Sequence, residues 1–192
     1  MEKKLEVFSD KELRWDYYPM FCRLMDKGCE IEAYMFILAT WNFARFRYAM
    51  KEFNLDAFVE KVRKLAPLFE KMRKEDFATM NIDKYEPEIR TIFKTFADIG
   101  GIESTGATKL MHLKLPKVFV MWDKYIRNEY GYKKGDADDY IAFLKQMQKE
   151  FANLEAPAGR TLAKAIDEHN YKKFTMPALA KAKSKRRRLG NR

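Results

Sequence analysis

Ile99-Gly-Gly-Ile-Glu-Ser-Thr-Gly-Ala-Thr-Lys-Leu-Met-His112, followed two residues later by Leu115-Pro-Lys-Val-Phe-Val-Met-Trp-Asp-Lys-Tyr-Ile-Arg-Asn-Glu-Tyr-Gly131, decides how the chain is read. Gly100 and Gly101 permit a sharp turn, because glycine takes positive φ at little cost. A short helical pattern follows, with Leu110, Met111 and Leu113 as its apolar members, and Pro116 breaks it. The run Val118 to Trp122 then delivers one acid, Asp123, out of an apolar wall. Tyr125, Ile126 and Tyr130 come next at helical spacing. Aspartate is a preferred N-cap, so Asp123 is expected to open a helix. The frame is a hairpin between two helices with an acid at the start of the next one.

Outward from this stretch the pattern stays helical. Pro87 suits the first turn of a helix through Ile89, Ile92, Phe93 and Phe96 that feeds the hairpin. Residues 30 to 50 form the most apolar segment, too rich on all sides for a surface helix, and are expected to be the central buried one. Leu55 to Phe69 repeats apolar residues at amphipathic spacing. Ser9-Asp10 reads as the start of a helix that is interrupted at Tyr17-Tyr-Pro19 and ends at Gly28. Asp136 to Asp139 caps a helix through Tyr140, Ile141, Leu144 and Met147, and Leu162, Ala165 and Ile166 form a last short one. Val118 to Trp122 is the sole strand-like run. The expected fold class is all-α.

The chain has 192 residues, 47% of them hydrophobic and 15% aromatic, with only 8 glycines. That composition supports a core of helical type. Formal net charge is +10, and residues 181 to 192 hold seven basic residues and no acid, leaving +3 for the rest. Residues 1–178 are therefore read as the folded domain. Residues 179–192 are read as a basic tail, disordered until bound, in which Lys185, Arg186, Arg187 and Arg188 meet a polyanion. Cys22 and Cys29, seven apart, are read as inert thiols of a reducing compartment. The charged start Met1-Glu-Lys-Lys reads as no signal peptide, and no apolar run approaches the ~20 residues of a membrane span. A cytoplasmic, nucleoid-associated or nuclear monomer is expected.

Three segments carry candidate chemistry. A lone carboxylate in a partly dry setting, such as Asp123, stabilises positive charge that develops beside it; its plain alternative is a helix cap. Backbone N–H groups where a glycine turn opens a helix bind phosphate without reading sequence. Gly100, Gly101, Ser104, Thr105 and Gly106 would do so, with Lys109 adding charge; a simple helix–turn–helix connection is the alternative. Asn42 and Arg45 put polar groups inside an apolar helix, where they need partners; a helix end with ordinary capping groups is the alternative. Lys109 and Lys114 lie near the hairpin, but no residue pattern marks either amine as deprotonated, and His112 with the remote His169 makes no metal site.

The hairpin resembles that of the helix-hairpin-helix DNA glycosylase superfamily, which writes it as Leu-Pro-Gly-Val-Gly-x-Lys-x-Ala; Ile99 to Ala107 stand at those positions, with Glu103 in place of the second glycine. Pro116, Trp122, Asp123, Ile126 and Arg127 resemble the segment with that family's catalytic aspartate. Ala39 to Phe46 resembles a Ser-Asn-Asn-Asn-Ile-Ala-Arg-Ile stretch of 8-oxoguanine glycosylase through Asn42, Ala44 and Arg45. The resemblance implies two helical lobes with a cleft between them and a base flipped out of double-stranded DNA. It implies Asp123 as the catalytic carboxylate, Arg127 among the DNA contacts, and Trp41 and Trp122 at the base pocket. Asn42 and Arg45 would fill the gap left by the flipped base. Thr105 stands where bifunctional members carry a Schiff-base lysine, which implies a monofunctional enzyme working with water and without cofactor or metal. The competing expectations are a non-enzymatic DNA- or RNA-binding protein of the same fold, and a helical protein-interaction domain with a localisation tail.

Overall fold

The computed structural model describes residues 4–9, 12 and 17–190, the side chains of 185–190 excepted. The described residues are helical and contain no strand. α1 (Tyr18–Asp26) carries a proline in its first turn and ends at Gly28, whose φ of 76° suits the left-handed exit. α2 (Glu30–Trp41) buries Ala33, Tyr34, Ile37 and Leu38. α3 (Phe43–Ala49) follows at once, so residues 30 to 50 are two helices and not the single buried one expected. The break falls at Asn42, whose side chain leaves the helix to bond a distant loop.

α4 (Leu55–Lys71) is capped by Asn54 and buries Phe58, Val62, Leu65 and Phe69, the predicted stripe. α5 (Glu86–Ala97) has Pro87 in its first turn and leads into the turn at Ile99–Ile102. α6 (Glu103–Lys114) packs along α5 and against α1 and α2. α7 (Lys124–Glu129) starts at Asp123 and α8 (Ala137–Phe151) at Asp136, each cap accepting backbone N–H groups as expected. α9 (Leu162–Asn170), capped by Thr161, runs into a π-helical turn (Tyr171–Thr175) that packs on α7 and α9. One apolar cluster joins these elements, from Leu5 through Phe93, Phe119 and Trp122 to Ile166.

Two further expectations change. Val118 to Trp122 is buried but is no strand. Side chains take over the work of a partner strand: His112 bonds the Phe119 carbonyl and the Tyr140 hydroxyl bonds that of Val120. The backbone of the C-terminal segment is α10 (Met176–Gly190), where the sequence reading expected no regular structure. Its Ala, Leu, Lys and Arg are strong helix formers, and α10 continues a packed helical turn, so nucleation is already done.

Candidate active site

Asp123 sits at the junction of the buried 118–122 segment and α7. Its Oδ1 accepts the N–H groups of Tyr125 (2.8 Å) and Ile126 (2.9 Å), and its Oδ2 accepts the Thr175 hydroxyl at 2.7 Å. Thr175 arrives from the π-helical turn, an element that re-aims side chains where a regular helix would not. The cap reading and the site reading of Asp123 thus coexist. The carboxylate is oriented through both oxygens and still keeps acceptor capacity.

Asp123 lines a cavity of about 460 Å³. That is the size range of small-molecule sites. Lys109, Lys164 and Asp167 bring three further charges to its wall, and Phe8, Trp41 and Tyr171 bring rings. Lys109 projects from the middle of α6 and its ammonium donates to the Trp41 carbonyl at the end of α2. Burial lowers its pKa from 10.5 to about 8; Asp123 and Asp167 oppose that shift and Lys164 adds to it. Desolvation outweighs two nearby acids, so the neutral amine is accessible near physiological pH. The Tyr171 hydroxyl is pushed the other way, upward, by burial and then by Asp123 and Asp167.

Behind the cavity lies a fully buried histidine. His112 Nδ1 is 2.6 Å from the Phe119 carbonyl and Nε2 is 2.8 Å from the Tyr18 hydroxyl. A carbonyl only accepts, so Nδ1 carries the proton and Nε2 accepts from tyrosine. Burial pushes the pKa down to about 3, which fixes the ring as neutral. Tyr18 in turn stacks on Trp41 at 6.0 Å and 10°, and the Lys164 ammonium lies 5.0 and 5.2 Å from the two ring centres.

The hairpin face is built differently. Gly101 has φ 83°, and an added Cβ would meet Ala49 Cβ at 2.5 Å. Glu103, two residues on, has φ 51°, the sole positive value at a non-glycine among the described residues. Asn42 is buried and its amide donates to the carbonyls of Gly101 (2.8 Å) and Ile102 (3.2 Å). Gly106 is buried against Ile102, Asn42 and Leu38, whereas Gly100 is exposed and Gly101, Ser104 and Thr105 are half-buried. Arg45 is exposed and pairs with Glu103 at 3.5 Å.

The structure therefore brings Asp123, Lys109, Trp41 and Trp122 to one cavity and leaves Asn42 and Arg45 at the hairpin. Trp122 is only 1% exposed, and its indole N–H is bonded to the Ser104 carbonyl, so it serves as wall and core. Thr105 is not among the cavity's lining residues, whereas Lys109, one turn further along α6, is. Arg127 lies under the 131–135 loop, where it donates to the Lys133 carbonyl. Lys185, Arg186, Arg187 and Arg188 belong to α10, and their side chains lie outside the described residues. Sequence reasoning missed Thr175, Tyr171, Lys164 and Asp167. A clue existed in Lys164-Ala-Ile-Asp-Glu168, an amphipathic stretch with charges at i, i+3 and i+4. Compared with protein-family models, curated proteins and solved structures, the chain matches none.

Proposed function

We propose that the protein is a DNA N-glycosylase of helix-hairpin-helix type that accepts a damaged or mismatched base, flipped out of the duplex, in the cavity beside Asp123. The observation that carries this reading is the pairing of an oriented carboxylate with a desolvated amine in one cavity. Support comes also from positive φ at both Gly101 and Glu103, the two positions where the glycosylase hairpin carries glycine. In this proposal the cavity lies in a cleft between two lobes, and the hairpin N–H groups hold the phosphate backbone.

The chemistry follows from the charges. As the bond between C1′ and the base breaks, the base leaves with the bonding pair and the sugar gains positive charge. The Asp123 carboxylate stabilises that charge and takes the proton of the attacking water as its oxygen bonds to C1′. Thr105 at the family's lysine position favours water. The lowered pKa of Lys109 favours a second reading, in which its neutral nitrogen bonds to C1′ and ring opening leaves a protonated imine.

The test uses duplex oligonucleotides, each carrying one lesion or mismatch, analysed with and without alkali. The proposal expects base release that leaves an alkali-labile strand. Tight, salt-dependent duplex binding with no release across a broad panel would instead favour a DNA-binding protein without catalysis. Borohydride separates the nucleophiles, because it reduces an imine to a stable adduct and leaves the water route untouched.

A further inference from the structure

The cavity contains a charge pair that base release itself does not require. Lys164 Nζ and Asp167 Oδ2 are 2.9 Å apart, with side chains 7% and 13% exposed, and both residues line the cavity. The pair is rigidly held. Lys164 also faces Glu168 at 3.5 Å, Glu168 takes Arg160 Nε at 2.9 Å, and the Lys164 ammonium lies over the rings of Tyr18 and Trp41. A buried ion pair costs desolvation that its mutual attraction offsets only in good geometry, so it is weak evidence for a stability role.

Resting on the N-glycosylase reading, we propose that Lys164 and Asp167 favour bases with a lactam edge, an N–H beside a C=O, as in hypoxanthine, 8-oxoguanine and uracil, over adenine-type bases. Guanine and thymine carry the same edge and are held back by the greater cost of flipping a correctly paired base. The pair presents a positive charge beside a negative one. Asp167, bonded to Lys164 through one oxygen, keeps acceptor capacity for the lactam N–H. Lys164 sets positive charge beside the lactam oxygen. Adenine reverses both polarities, with a lone pair at N1 and an N–H donor at N6. Its N1 would meet a carboxylate and its amino group an ammonium, a repulsive match that rejects it.

The experiment has two arms, both on the full chain. In the first, calorimetry measures binding of the free bases hypoxanthine and adenine. In the second, single-turnover release is followed from duplexes carrying hypoxanthine, uracil or N3-methyladenine. Wild type should bind hypoxanthine at least tenfold more tightly than adenine and release the lactam bases faster. Asp167→Asn should erase that preference and slow hypoxanthine release by roughly 10- to 100-fold, the loss of one charge-assisted hydrogen bond, with duplex affinity unchanged. Equal binding of the two bases by wild type overturns the proposal, and that result does not depend on any variant folding. An Asp167→Asn protein with native circular dichroism and an unchanged preference overturns it as well. If wild type keeps the hypoxanthine preference but releases no base from any duplex, the lactam site stands and the N-glycosylase reading fails.

Discussion

The cavity and the hairpin share helix α6 and handle charge in opposite ways. At the hairpin, Arg45 and Glu103 pair with side chains 63% and 52% exposed. In the cavity, burial is the largest cause that lowers the Lys109 pKa from 10.5 to about 8, against the pull of Asp123 and Asp167. Water screens the exposed pair strongly and the half-buried Lys109 much less. The hairpin's specificity of shape comes from neutral groups, namely the Asn42 amide and the closely packed Gly101 and Gly106. The division predicts that charge changes are costly to chemistry in the cavity and nearly silent at the hairpin, while shape changes do the reverse.

Asp123→Asn tests the cavity side and should have the largest effect. Asparagine is an equally good helix cap, so folding should hold. If the N-glycosylase reading holds, base release should fall ~100-fold or more, the scale of losing one preorganised electrostatic group. Duplex binding should then persist or tighten, since a negative charge beside the bound polyanion is gone. A fully active Asp123→Asn protein would reduce Asp123 to a cap and remove the chemical half of the comparison.

Asn42→Leu tests the hairpin side. The substitution leaves the Gly101 and Ile102 carbonyls without their side-chain donor in a buried setting. The cost should be about 1–3 kcal/mol, readable as a lower midpoint in urea unfolding. If the midpoint holds and duplex binding collapses instead, Asn42 reads DNA and the hairpin is not merely held by shape.

These two positions also show what the sequence could and could not tell. The caps at Asp123 and Asp136, the proline at the start of α5 and the stripe of α4 depend on local spacing and were legible. The break at Asn42 was legible only as an alternative, a helix end, because the bond that holds it there runs to carbonyls 59 and 60 residues away. Lys109 was noticed as near the hairpin, but its lowered pKa depends on burial that only the packing of α6 against α2 produces. Thr175 and Tyr171 reach the site through a π-helical turn, which the 3.6-residue period does not foresee.

Lys109→Met sharpens the cavity side through pH. Between about pH 8 and 10.5 the unfolded chain keeps a lysine proton that the folded amine has lost. Wild-type stability should therefore rise with pH across that window from this group, at ~1.4 kcal/mol per pH unit, and the cost of the buried charge should be constant below it. Lys109→Met should lack that rise. If Lys109 is also the nucleophile, borohydride trapping in wild type should grow as pH approaches 8 and vanish in Lys109→Met. An unchanged stability profile would mean that water reaches the amine and the cavity is not dry.

Arg45→Ala should have the smallest effect on the fold. Its partner is a carboxylate at 3.5 Å with both side chains more than half exposed, so screening leaves the pair little to contribute. Stability should change by less than about 0.5 kcal/mol. The positive φ of Glu103 belongs to the backbone turn and not to the ion pair, so the turn should survive the loss of Arg45. If the N-glycosylase reading holds, Arg45 is a cation beside the phosphate-binding turn, and its removal should shrink the slope of log affinity against log salt by ~1 at most. A loss of stability of several kcal/mol would instead make the pair a clasp that forces Glu103 into its strained conformation, and charge would then matter as much at the hairpin as in the cavity.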